Sequence, residues 1–458
     1  MSLPEFPLSD AQRQQWFQAE LAPGSPAYNI AWALRLRGSL DIPAWRRAVG
    51  HVTRRHQPLR TRLVSRAGTC TQQVLDAAAI PDPVTVEDIP PGPPAGWLAD
   101  AWRRASALAA EPFDLSQAGL IRIHLLPVGP RDHLVVLVAH HIVFDGWSSR
   151  VLERDLAECY RAELAGQDPE LPELTVSYGE YAAAQAARAE SGLEADLRYW
   201  DRQLAGAVPL SLRADFPRPP VMTLRGARET FTPGPALFDN LAALTRSRRA
   251  SPYSGFLAAV AVLMFRYTGI TDVTIGTTAL GRPRPELADL IGMFAQSLVL
   301  RLPVRPTDSF HDVIGRAHEV VLDALDHAEA PLDLLIRRLR VPRDLSRNPL
   351  FQVSLSYLDE TVTTPAAFPG LLTETMELPT GSAHFDLTFS LVKRPGALDG
   401  AIDYSTDLYR PQTVSRWAAG FLALLGAAVS APGRPIAALD LMAAGHRREL
   451  LELGRHDW

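Results

Sequence analysis

Cysteine is nearly absent: Cys70 and Cys159 are the two in 458 residues. That scarcity excludes a disulfide scaffold and a cysteine-based metal centre. Cys159 falls on an apolar helical stripe, where a reduced core thiol is expected. No group of His, Cys, Asp and Glu has metal-ligand spacing, so no metal is expected. Neither charge sign dominates, with 46 Lys and Arg against 51 Asp and Glu and a net charge of −5. A nucleic-acid partner would demand a basic excess that is not there. Long apolar runs are missing too: the densest, Phe256 to Phe265, ends at Arg266, short of the roughly 20 residues a membrane span needs. The opening Met-Ser-Leu-Pro-Glu-Phe has no basic segment leading into an apolar run. The expectation is a cytoplasmic protein with no membrane partner.

What is present is a globular composition, 47% hydrophobic and 21% charged, on a chain too long for one ordinary core. Periodicity predicts helices over 8–21, Ile42–Arg55, Trp97–Leu108 and after Gly146, with strands over Tyr28–Leu36 and Leu59–Val64. Leu120–Leu126 and His133–Ala139 read as a hairpin, and a Pro-rich loop spans Pro90–Pro94. Later, Tyr253–Tyr267, Phe310–Asp326 and Pro411–Ser430 read as helices. Asp272–Thr278, Ser297–Val304, Phe351–Leu358, Phe385–Val392 and Leu398–Tyr404 read as strands, the last two pairing. Helices and strands alternate without a simple βαβ rhythm, which predicts an α/β chain of two sandwich-like halves. The Pro-containing acidic stretch 166–176 marks the boundary. The expected division is 1–172, 173–440 and a linker-like tail over 441–458.

The chemistry concentrates in His140-His141-Ile142-Val143-Phe144-Asp145-Gly146-Trp147-Ser148. Upstream lies the unbroken apolar run of a buried strand. Downstream, Leu152, Leu156, Cys159 and Tyr160 form a helical stripe. Side chains alternate along a strand, so one histidine faces inward and the other faces a cleft. The same residues also read as a buried histidine pair with Asp145 merely capping the helix.

With its other motifs, the chain resembles the condensation domains of nonribosomal peptide synthetases, in the chloramphenicol-acetyltransferase-like acyltransferase superfamily. Ser9-Asp10-Ala11-Gln12 is similar to the opening S-x-A-Q, although Gln14 stands where an arginine belongs. Arg55-His56-Gln57-Pro58-Leu59-Arg60-Thr61 is similar to R-H-E-x-L-R-T, and the histidine stretch fits H-H-x-x-x-D-G-W-S. Tyr178–Ala182, Ile291–Ser297 and Arg343–Leu350 resemble further motifs in family order. The resemblance implies a pseudo-dimer of two acyltransferase-like lobes in a V with a central tunnel. Donor and acceptor carrier proteins would present thioesters there on phosphopantetheine arms, with no tightly bound cofactor, and an amide bond would form. An adjoining adenylation domain and a monomeric state fit the same picture.

The resemblance assigns roles residue by residue. His141 serves the acceptor amine, as base or as positioner, and His140 supports it from within. Asp145 is anchored by Arg282, and Gly146 lets the backbone approach the substrates near a helix start. Trp147, Ser148, Gln296 and Ser297 line the tunnel. Beside these, the residues themselves suggest structural or interdomain pairing in preference to direct catalysis for Arg60 and Arg62, and a solvated surface or a carrier contact for the Arg246, Arg248 and Arg249 cluster. Ala295-Gln296-Ser297 departs from the family's V-N-T, and Gln57 replaces an acid. Aspartates would replace the histidines in a heterocyclisation domain, and an epimerisation domain would continue differently after Gly146. An ester-forming acyltransferase with a hydroxyl acceptor, an epimerisation domain and a non-catalytic carrier-recruiting domain remain the rival readings.

Overall fold

The apolar run ending at the histidines lies inside a sheet buried on both faces: every side chain from Leu134 to Ala139 is enclosed. Its two faces serve different cores. Val135, Leu137 and Ala139 pack with Trp45, Val49, Leu152 and Leu156, while Leu134, Val136 and Val138 pack with Ala101, Ala105 and Leu108. This is the period-two pattern of a strand with helices on either side.

The computed structural model describes residues 3–66, 68–87, 96–188, 190–362 and 366–442. The expected loop at Pro90–Pro94 and nearly all of the expected tail over 441–458 lie outside the described residues. Two compact units emerge. The first comprises Met1–Gly192, Leu280–Gln296 and Thr364–Thr380; the second comprises Leu193–Ala279, Ser297–Thr363 and Gly381–Trp458. The division expected at 172/173 is therefore displaced, and two later segments return to the first unit. Hydrogen bonds explain the displacement: Tyr178 OH lies 2.9 Å from Ser9 Oγ, and Gln185 Oε1 accepts from Asp10 N–H. The segment just after residue 172 is tied to the chain's beginning.

In the first unit the elements run β1 (Glu5–Pro7), α1 (Asp10–Leu21), β2 (Asn29–Gly38), α2 (Ile42–Arg55), β3 (Thr61–Arg66), β4 (Thr69–Val74), β5 (Val84–Val86), α3 (Trp97–Ala109), β6 (Ile121–Gly129), β7 (Asp132–His140), α4 (Gly146–Ala165) and α5 (Tyr178–Ala187). The main sheet has the order Leu371–Glu377, β2, β7, β6, β5. β6 and β7 form the expected antiparallel hairpin, and β2 pairs with β7 so that Asn29 lies opposite His140. The strand Leu371–Glu377 adds antiparallel to β2. Its exposed, polar-rich sequence gave no apolar alternation to read. β1, β4 and β3 make a small separate sheet.

The second unit is built on a six-stranded sheet in the order Gln296–Pro303, Asp272–Ala279, Val353–Asp359, Leu387–Arg394, Ala397–Ser405, Gly226–Phe231. The last two expected strands pair antiparallel, with Leu391 opposite Gly400. Helix Pro252–Thr268 is buried all round from Ser254 to Phe265 and forms the spine of that core. Among the described residues one helix, Pro411–Ser430, is long and apolar enough to cross a membrane. Its Val414, Trp417, Phe421, Leu424 and Leu425 are buried in this core.

Leu137 is fully enclosed in the strand that leads to the histidines. Leu137→Ala should lower stability by about 2–5 kcal/mol through lost burial and a residual cavity, seen as a lower urea midpoint.

Candidate active site

β7 ends at His140, and a 3-10 turn, His141–Val143, begins at the next residue. The two imidazoles diverge because the backbone changes conformation between them, not because a strand continues alternating. Asp145 then caps α4 by accepting from Ser148 N–H at 2.8 Å. Phe144 is fully buried and stacks on Trp32 with ring centroids 5.4 Å apart, which pins the turn from below.

His140 is 4% exposed. Its Nδ1 lies 3.1 Å from the Ile142 N–H and must accept from it, so the neutral ring carries its proton on Nε2. Burial, reinforced by the neighbouring His141, pushes its pKa down to about 3. His141 has the opposite tautomer. Its Nδ1 lies 2.8 Å from the Phe144 carbonyl oxygen. A carbonyl can only accept, so Nδ1 bears a proton, and in the neutral ring Nε2 holds the lone pair. His141 is half-buried, and burial lowers its pKa despite the opposing attraction of Asp145. A neutral imidazole with an unprotonated Nε2 is the form that can take a proton.

Asp145 has no such freedom. It is 1% exposed and is surrounded by donors. Arg282 Nη1 reaches Oδ2 at 2.7 Å and Nη2 reaches Oδ1 at 3.1 Å. Phe294 N–H donates to Oδ2 at 3.1 Å, and the Ser148 hydroxyl donates to Oδ1 at 2.7 Å. With the cap bond these donors occupy the carboxylate's lone pairs, leaving none for proton transfer. Arg282 also stacks over the Phe294 ring at 4.1 Å. Gly281 lets this segment close: its φ is +65°, and a Cβ there would fall 1.8 Å from Phe294 O.

Ser148 does not line a channel, contrary to expectation. It is fully buried, with its hydroxyl committed to Asp145 and to the Gly292 backbone, whose N–H donates to it at 3.0 Å. It sits on the inward side of α4, where the cap bond to Asp145 holds it. Trp147 is half-buried and donates its indole N–H to Ala288 O at 2.8 Å. Gly146 is exposed, and a Cβ there would meet nothing within 4 Å, so open space lies beside it at the start of α4. N–H groups of that turn lack intrahelical acceptors. Gln296 and Ser297 are partly buried at the start of the strand Gln296–Pro303.

Arg60 donates to Leu75 O and Arg62 to Gln73 Oε1, both within the first unit. Arg246, Arg248 and Arg249 are exposed, with Arg248 donating to His311. Two residues to which the sequence reading gave no role are central to the packing here. Fully buried Asp155 accepts from Arg55 at 3.0 Å and from Arg154 at 2.6 Å, with His56 Nε2 at 2.9 Å. An acid beside the apolar stripe of α4 was the available signal. Gln12, also fully buried, reaches the histidine turn itself. Among the described residues no group of three or more His, Cys, Asp or Glu is placed to hold a metal ion.

Residues 3–451 match the family model of the condensation domain. The chain is 37% identical to phosphinothricin tripeptide synthetase PhsC of Streptomyces viridochromogenes, over 98% of its own length and 41% of that protein. It is 35% identical to one polypeptide of the linear gramicidin synthase of Brevibacillus parabrevis, over 97% of its length and 6% of that polypeptide. The chain thus spans less than half the length of these relatives. Among solved structures, the X-domain from teicoplanin biosynthesis superposes with a TM-score of 0.85 at 28% identity, covering 96% of this chain and 98% of that one. The first condensation domain of the calcium-dependent antibiotic synthetase shares the fold, with a TM-score of 0.83 at 23% identity, over 97% of this chain and all of that one.

Removing the arginine from the buried pair leaves Asp145 short of its cationic partner. Arg282→Ala should cost about 3 kcal/mol, the low end for a broken buried pair because Ser148 and Phe294 still donate, measured by chemical denaturation. His140 supplies a pH dependence. The unfolded ring binds its proton below about pH 6.5, whereas the folded ring resists until about 3. Stability is therefore lost as pH falls through that window, by at most about 1.4 kcal/mol per unit. His140→Asn, whose side-chain oxygen can still accept from Ile142, should flatten this acid slope.

Proposed function

Because the chain belongs to the condensation-domain family, we propose that it transfers an acyl or peptidyl group from a donor thioester to the amine of an acceptor aminoacyl thioester. Both substrates would be carried on phosphopantetheine arms of peptidyl carrier proteins, with an adenylation domain as a natural neighbour in the same cytoplasmic assembly. The observation that carries this reading is the 2.8 Å contact of His141 Nδ1 with Phe144 O, which makes Nδ1 the donor and, in the neutral ring, leaves Nε2 with a lone pair.

The acceptor nitrogen attacks the donor carbonyl and forms a C–N bond. Its surplus proton passes to His141 Nε2. The tetrahedral intermediate then collapses, the C–S bond breaks, and the proton goes to the departing thiolate. The open space beside Gly146 leaves room for the carbonyl oxygen as it gains negative charge near the N–H groups of a helix start. Asp145 and Arg282 hold the turn and touch no substrate. The same Nε2 would serve a hydroxyl acceptor, which needs a base more than an amine does.

A second reading rests on the likeness to the teicoplanin X-domain, a protein described in complex with OxyB. On that reading the domain would recruit another protein instead of catalysing. The acceptor-ready His141 Nε2 favours catalysis.

The experiment mixes donor- and acceptor-loaded carriers with the protein and follows product by mass. His141→Ala should lower the rate roughly 100- to 10,000-fold, the usual worth of general acid–base catalysis, while its circular dichroism stays native. Undiminished product formation by the folded variant would sink the catalytic assignment.

A further inference from the structure

Gln12 lies 130 residues before the histidine turn in sequence, yet its Nε2 donates to Ile142 O, inside that turn, at 3.0 Å. It is fully buried at the third position of α1. Its carboxamide has no freedom to flip: Oε1 accepts from Ser9 N–H and from Gln72 Nε2, each at 3.0 Å. Gln72 is itself held by the Pro7 carbonyl at 2.8 Å. A reversed amide would point its NH2 at the Ser9 N–H and its oxygen at the Ile142 carbonyl.

The anchor of α1 reaches the other side of the site as well. Ser9 Oγ accepts from Gln12 N–H and lies 2.9 Å from Tyr178 OH, which donates to Met293 O at 2.7 Å. Met293 stands between Gly292 and Phe294, the residues bonded to Ser148 and Asp145. A chain of hydrogen bonds therefore runs from the histidine turn through Gln12, Ser9 and Tyr178 to Met293, and closes through the backbone of Met293–Phe294 and the Phe294 N–H bond to Asp145. Each member is buried, so each bond is made without competing water.

We propose that Gln12 is a positioning residue for His141, setting the pitch of the 3-10 turn so that the Nδ1–H meets Phe144 O and Nε2 faces the reacting groups. This rests on the catalytic reading above. Gln12 touches no substrate; it acts on the backbone carbonyl between His141 and Phe144.

The test uses the full chain with Gln12→Glu, which sets a carboxylate against the Ile142 carbonyl, and Gln12→Met, which keeps the length and removes the bonds. The expected result is a kcat about 10- to 100-fold lower, the scale of a misplacement near one ångström, with KM for both loaded carriers within about twofold. Imidazole 15N–1H spectra should show His141 as a single Nδ1–H tautomer in the wild type and a mixture in the variants. A wild-type kcat and an unmixed tautomer in either folded variant overturn the proposal, as does failure of both variants to fold, which makes Gln12 a folding residue only. If His141→Ala is itself fully active, the catalytic reading fails, whereas the tautomer spectra still judge Gln12.

Discussion

The buried pair between Asp145 and Arg282 governs the rest of the site. Asp145 is at once the last residue before α4, the N-cap of that helix and the acceptor for the Arg282 guanidinium. A carboxylate with almost no solvent exposure is tolerable only when its lone pairs are filled. Here they are filled from three places in the chain: the first turn of α4, the loop at Arg282 and the backbone of Phe294. Moving any one of these would leave a buried carboxylate short of a donor. The turn between His140 and α4 consequently has its far end fixed, and Gln12 and the Trp32–Phe144 stack restrain the part between.

That rigidity explains how two adjacent residues of the same type acquire opposite properties. His140 accepts a backbone N–H, and His141 donates to a backbone carbonyl. Each ring's tautomer is dictated by which main-chain group lies beside its Nδ1. Burial holds both neutral, but His140 spends its lone pair on the fold, whereas His141 keeps one at Nε2. The division of labour comes from about one residue of backbone, where extended strand becomes 3-10 turn.

Much of the architecture was readable because periodicity is a local property. Helices Ile42–Arg55, Phe310–Asp326 and Pro411–Ser430 span the residues their periodicity predicts. The hairpin leading to the histidines was equally plain. Strands such as Thr69–Val74 and Leu371–Glu377 were not, because they are polar or lie at an edge and lack alternation. The boundary near 172 was misplaced for a related reason. Proline and acidic residues mark a turn, but the allegiance of α5 is decided by a tyrosine hydroxyl and a glutamine that bond to Ser9 and Asp10.

The sequence by itself marked out the segment on which the proposed chemistry rests: the double histidine, the aspartate after three apolar spacers and the glycine at the helix start. It also determined the family, since several motifs recur in order along the chain. Tertiary structure alone decided what each group does. Ser148 sits in the same motif as Gly146, yet it is sealed behind the helix and serves Asp145. Gln12 stands at the other end of the unit's sequence, yet it holds the turn. Each tautomer is set by a main-chain group two or three residues away, but the bonds that hold those groups in place come from Gln12 and Arg282, more than a hundred residues distant.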